Sequence, residues 1–125
     1  MVKSLITLII SIILLVSLSI TEQSIVNNSF DDLKVKLVEV YKKTENQTAV
    51  KDDILSAQEL WLENKKHLHM FIPHNEIKEI ELWIAESTTL VENKKYDDAL
   101  SKIDVVIELI EQIPKTFSLR IENIL

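Results

Sequence analysis

Apolar residues crowd the start of the chain and thereafter recur at spaced intervals. Leu5 to Ile20 reads LITLIISIILLVSLSI without a charged residue. A helix that crosses a bilayer needs about 20 apolar residues, so this run is slightly short for one. Lys3 precedes it and Glu22 follows it. The positive-inside rule then expects a cytoplasmic N-terminus, with residues 22–125 on the far side of the membrane. Ser17-Leu18-Ser19 is also a small-x-small sequence of the kind cleaved after a signal core. A secreted product cut near Ser19 is therefore the alternative to an uncleaved anchor.

Beyond the apolar run the pattern changes to alternating steps of three and four, which is one face of a helix. Ser29 with Asp32 has the form of a capping box, and Phe30, Leu33, Leu37, Val40 and Thr44 follow in phase. Glu45–Thr48 is a polar break. A second helix is predicted from about Ala49 to Ile72, with the stripe Val50, Ile54, Ala57, Trp61, Asn64, Leu68 and Phe71. Pro73 ends it, because the residue before a proline is pushed out of helical geometry. A third helix from about Asn75 to Glu92 carries Ile77, Ile80, Ile84, Ser87 and Val91, with Trp83 and Leu90 widening the stripe.

After a turn at Asn93–Lys95 a fourth helix opens at Asp97 or Asp98. Tyr96, Leu100, Ile103, Ile107, Ile110, Pro114, Phe117, Ile121 and Ile124 hold one phase across Pro114. A broken chain has no reason to keep phase, so the helix is expected to continue through the proline with a kink. Ala99, Val106 and Ile113 form a second stripe that broadens its buried face.

The predicted fold is all-α. A transmembrane or signal-anchor helix leads into an antiparallel four-helix bundle whose last helix is long and kinked at Pro114. The expected division is 1–21 for the apolar segment, 22–29 for a linker or helical extension, and 30–125 for the bundle. Short turns make successive helices antiparallel. That arrangement puts the Pro73 turn and the end of the last helix at the membrane end, and Asn93–Lys95 at the far end.

Composition removes several function classes. The 125 residues include no Gly and no Cys. Glycine-rich phosphate loops and nucleophile elbows are therefore impossible, as are disulfides, thiolate chemistry and cysteine zinc sites. The net charge is −6 and no basic stripe interleaves with aromatics. Such a surface is repelled by phosphate backbones, so no nucleic-acid partner is expected.

Four features together resemble a known family. They are the N-terminal anchor, Trp61 on a helix reaching Lys65-Lys66, the turn Phe71-Ile72-Pro73-His74-Asn75-Glu76-Ile77, and the closing Glu122-Asn123-Ile124-Leu125. The chain is similar over nearly its whole length to the domain-of-unknown-function family 4363, short proteins of Gram-positive bacteria. The resemblance implies a membrane-associated helical protein and carries no activity and no catalytic residues.

The candidate chemistry is thin. His67, His69 and His74 lie within eight residues of one another and suggest a transition-metal site, with Glu63 one turn before His67. Residues two apart on a helix point about 200° apart, however, so His67 and His69 cannot share one ion there. No metal or other cofactor is expected. Asp31-Asp32, Asp52-Asp53 and Asp97-Asp98 have the form of acid–base pairs. All three fall at predicted helix starts, where carboxylates accept backbone N–H groups. Trp61 and Trp83 read as packing residues, and Asn64 as a polar group that fixes register. Trp61, His74, Trp83 and Asn123 form a possible structural or ligand cluster, with His74 near Asn123.

The expected function is a non-catalytic helical module, attached to the membrane through Leu5 to Ile20, that binds a protein partner or a second copy of itself. The alternatives are a ligand-sensing bundle with a pocket near Trp61, His74 and Trp83, and a metal-binding protein using His67, His69 and His74.

Overall fold

The computed structural model describes residues 1–124. Among them the chain forms four α-helices: α1 (Val2–Glu45), α2 (Lys51–Leu68), α3 (His74–Glu92) and α4 (Tyr96–Ile124). Leu125 and the side chains of Ile121 and Ile124, all part of the expected C-terminal pattern, lie outside the described residues.

The apolar segment and the first amphipathic stripe belong to one helix. Ser29 and Asp32, expected to open a new helix, instead lie in the middle of α1. Extending a formed helix fixes one residue per hydrogen bond, whereas starting one fixes several for a single bond. Thr21–Asn28 contains no Gly or Pro to stop that extension. Val26, absent from the predicted stripe, is fully buried and carries the core pattern back toward the apolar run. The Ser29 carbonyl instead accepts a hydrogen bond from Asn64 Nδ2 at 3.1 Å.

The helices pack in chain order, α1 on α2, α2 on α3 and α3 on α4, and α4 closes against α1. Cross-helix pairs show the directions. Lys43–Asp53 and Asn64–Ser29 run antiparallel between α1 and α2. Lys51–Glu92 and Lys65–Glu81 do so between α2 and α3. Lys34–Glu111 and Gln23–Ser118 do so between α1 and α4. The α2–α3 turn and the end of α4 therefore lie at the end of the molecule from which the apolar segment leaves. The α1–α2 and α3–α4 turns lie at the opposite end.

Each helix contributes an inward stripe to one core. In α1 it is Val26, Phe30, Leu33, Leu37, Val40 and Thr44, and in α3 it is Ile77, Ile80, Ile84, Ser87 and Val91. The buried hydroxyls cost little because each is satisfied within its own helix. Thr44 donates to the Val40 carbonyl and Ser87 to the Trp83 carbonyl, both at 2.8 Å.

In α4 the centre of the face differs from the expected stripe. Ala99, Ile103, Val106, Ile110, Ile113 and Phe117 are buried. Tyr96, Leu100, Ile107 and Pro114 are only half-buried. Two overlapping stripes, whose differing members are one residue or about 100° apart, share Ile103, Ile110 and Phe117, and the one with Ala99 faces the core because both α1 and α3 pack on α4. In α2, Val50 is exposed as the residue before the first turn, and Ala49 is buried in its place. That helix stops at Leu68 rather than Ile72. The Phe71 and Ile72 N–H groups both turn back to the Leu68 carbonyl, which lets Ile72 enter the core ahead of Pro73.

The chain turns without glycine. Gln47 and Lys94 adopt φ of 58° and 59°, the left-handed region that glycine occupies at least cost. Both follow helices closed by the same pair of bonds. Thr48 N–H reaches the Lys43 carbonyl and Gln47 N–H that of Thr44, while Lys95 N–H reaches Leu90 and Lys94 N–H reaches Val91. This is the Schellman closure, which natural helices usually complete with glycine. Gln47→Gly and Lys94→Gly are each expected to stabilise the fold by about 1 kcal/mol, since a side chain in that region costs about that much. Thermal unfolding in detergent checks this, and a lower midpoint for both variants would overturn it.

The α1–α2 connection also carries a titrating contact. Asp53 Oδ2 accepts the Val50 N–H at 2.9 Å, and Asp53 Oδ1 meets Lys43 Nζ at 3.0 Å. Partial burial pushes the Asp53 carboxyl upward, but the Val50 N–H and the Lys43 ammonium outweigh it and hold the group below its ordinary value. The folded pKa is thus lower than the unfolded one. The contribution is present above the unfolded pKa of about 3.9 and is lost as pH falls through the folded value. Asp53→Asn should flatten the loss of stability below about pH 4, measured by urea unfolding across that range.

Candidate functional site

A groove between α2 and α3 brings Trp61, Lys65 and Glu81 together. Trp61 turns its ring into the core, where it is 1% exposed and lies 6.3 Å from the ring of Phe30 on α1. A buried indole keeps its N–H only if an acceptor reaches it. Glu81 on α3 provides that acceptor at 3.4 Å, and the same carboxylate oxygen receives the Lys65 ammonium from α2. Indole, carboxylate and ammonium thus form a short polar chain across the groove.

Beside this chain is a shallow cavity of about 280 Å³, lined by Trp61, Leu62, Lys65, Glu81, Ile84, Ala85 and Gln58. Pockets for drug-sized ligands usually run from about 300 to 1,000 Å³ and enclose most of the ligand. This one falls just below that range. Leu62 stands at its edge 46% exposed, and Leu82, next to Glu81 in sequence, stands outward on α3 at 55%. Of the two exposed leucines, Leu62 lines the groove and Leu82 stands on the outer side of α3, outside the cavity lining.

The other expected site residues are dispersed. Trp83 faces the opposite neighbour, α4, where the Lys102 ammonium lies 4.5 Å from its ring centroid and 3.6 Å from Glu86. It does not line the cavity beside Trp61. His74 is exposed at the first position of α3, and Asn123 is exposed near the end of α4. Both lie at the apolar-segment end of the molecule, away from the Trp61–Glu81 contact. Asn64 is half-buried and ties α2 to α1 through its bond to Ser29.

His67 and His69 are exposed as well, and His69 Nδ1 lies 3.3 Å from the Lys65 carbonyl. Among the described residues no group of three His, Cys, Asp or Glu side chains is placed to hold a metal ion. Asp52-Asp53 and Asp97-Asp98 occupy first turns of helices, where they meet the positive end of the helix dipole. Asp31-Asp32 does not, since it is exposed on the unbroken α1.

Sequence reasoning did not single out Glu81, Leu62 or Leu82. The available signal was the pair of leucines, Leu62 one position past Trp61 and Leu82 midway between Ile80 and Ile84. Glu81 carried no signal, because its role depends on which residue of α2 lies opposite.

Comparison with known proteins gives one finding. A family model described as Domain of unknown function (DUF4363) matches residues 20–124. No curated protein and no solved structure matches.

Proposed function

Because the chain belongs to the DUF4363 family, whose description names no activity, we propose from its own geometry that it is a membrane-anchored, non-catalytic helical module that binds a protein partner or a second copy of itself. The observation that carries the reading is α1. One helix holds both an apolar stretch with no protein packed on it and the stripe at the core of the folded part. A run of exposed Leu and Ile side chains on a soluble surface would aggregate. In hydrocarbon the same run is stable, since every backbone group is paired within the helix.

The orientation rests on Lys3 before the apolar run and Glu22 after it, which favours a cytoplasmic N-terminus and places the helical domain outside. Lys94→Cys, at the far end of the molecule, should react with a membrane-impermeant thiol reagent on intact cells. Protection there, with labelling only after lysis, overturns the orientation. Recovery of a soluble product starting near Ser19 establishes the secreted alternative instead.

The interaction role is supported by the exposed Leu62, which edges the groove of the Trp61–Glu81–Lys65 contact, and by the exposed Leu82 that follows Glu81 on α3. Exposed leucines next to satisfied polar side chains suit the mixture of apolar and polar area found at a protein interface. A photo-crosslinking residue at position 62 or 82 should capture a partner or a second copy in native membranes. One at Glu108, exposed on α4, should capture less. Equal yields at all three positions, or none, overturn the assignment of this face.

A further inference from the structure

We propose that the end of the helical domain nearest the apolar segment is itself a lipid-binding surface, with the α2–α3 turn seated in the headgroup layer of the bilayer. The inference rests on the membrane-anchored reading above and adds a second, independent contact with the membrane.

The argument begins with levels along α1. Asn64 bonds to Ser29, so those residues share a level. The two helices run antiparallel at about 1.5 Å per residue, which places Leu68 about 6 Å nearer the apolar run, level with Ile25. The turn Met70–Ile72 lies beyond it. The α4 side gives the same level independently. Gln23 donates to Ser118 across α1 and α4, and the Phe71 ring lies 6.1 Å from that of Phe117, next to Ser118. The turn is therefore level with about Glu22–Ser24, within about 6 Å of Ile20, where the uncharged run ends.

A bilayer about 40–45 Å thick with a hydrocarbon core of about 30 Å leaves an interfacial layer of roughly 5–8 Å on each side. The apolar run is about 24 Å long, so when centred in the core it ends about 3 Å inside the boundary, and a turn about 3–6 Å beyond Ile20 falls at the inner edge of that layer. Its side chains suit the position. Met70 is 77% exposed and Leu119, at the same level on α4, is 59% exposed. Ile25, level with Leu68, is exposed on α1. In water these apolar groups have no partner, while at the headgroup–acyl boundary each gains burial. Charges of both signs occupy the same helix ends, Lys66 and Arg120 as well as Glu22 and Glu122. That balance suits zwitterionic phospholipid headgroups, and leaves the attachment to the apolar residues.

The chain has no Cys, so single labels can be placed cleanly. Met70→Cys, Leu119→Cys, Ile12→Cys and Lys94→Cys would each carry an environment-sensitive fluorophore on the full chain in phosphatidylcholine vesicles. Nitroxide lipids would quench from the headgroup region or from deep in the acyl chains. The expected result is deep quenching at 12, shallow quenching at 70 and 119 several-fold above that at 94, and a water-like signal at 94. Water-like signals at 70 and 119 with deep quenching at 12 overturn the lipid-binding surface and leave the anchor intact. Absence of quenching at 12 overturns both. Met70 and Leu119 are exposed, so these substitutions leave the core in place, and agreement between the two positions guards against a local effect of either label.

Discussion

Trp61→Ala is expected to cost about 3–5 kcal/mol of folding stability, the range for removing a buried tryptophan. The side chain is 1% exposed and stacks at a tilt on Phe30, so it joins α2 to α1 as well as to α3. Its removal leaves a void between three helices, and it deprives the Glu81 carboxylate of one of its two partners. A domain of this size has a total stability of about 5–15 kcal/mol, so the variant is expected to retain only a fraction of it. Trp61→Phe keeps a ring against Phe30 and should cost markedly less. Urea unfolding in detergent measures both. A loss below about 1 kcal/mol for the alanine variant would show that Trp61 is not a keystone of the core.

Pro114→Ala is expected to act in the opposite direction. The helix α4 runs through Pro114 to Ile124, although proline is about 3 kcal/mol worse than alanine in a helix interior. Its missing N–H leaves the Ile110 carbonyl without the usual partner one turn on. Alanine restores that bond. What the variant loses is the contact of the half-buried ring, which lines a small cavity with Phe30, Lys34 and Glu111. The restored bond and propensity exceed the value of that contact, so the midpoint of thermal unfolding should rise. A fall in the midpoint would mean that the ring's packing against α1 is worth more than the helix it disturbs. Lys34 and Glu111 meet at 2.7 Å beside the same cavity, and Lys34 holds the Glu111 carboxyl below its usual range.

The sequence disclosed this fold through its period. The steps of three and four in Phe30–Thr44 and Ile77–Val91 coincide with the buried faces of α1 and α3, because each of those helices has one narrow apolar side. In α4 two apolar stripes lie next to each other. Periodicity cannot rank them, so the choice of Ala99, Val106 and Ile113 over Tyr96, Leu100 and Ile107 came only from how α1 and α3 press on it. The unbroken join at Thr21–Asn28 was equally hidden, because polar residues are compatible with both linker and helix. Ser29 and Asp32 supply a start signal that a helix already under way does not use.

The groove was less legible than the fold. Trp61 stood out as a core residue by composition and spacing alone. Its pairing with Glu81 depends on the register of α2 against α3, which no local pattern encodes. The grouping of Trp61 with Trp83 is a natural reading of two tryptophans in neighbouring helices. It fails to anticipate that the first looks toward α1 and the second toward α4.

The continuity of α1 makes it a keyed shaft rather than a tether. A helix turns about 100° and rises about 1.5 Å with each residue, so the compass heading of the Leu62–Leu82 face is set by the count of residues between the apolar run and Val26. One alanine inserted after Glu22 would swing that face by about 100° while lifting it hardly at all. Seven would bring it back to within about 20° of its original heading, some 10 Å higher. On the proposed membrane-anchored reading, a partner that shares the bilayer would feel the first change as a loss of alignment, and would regain alignment with the second only if it could follow the rise. A partner arriving from solution would be indifferent to both.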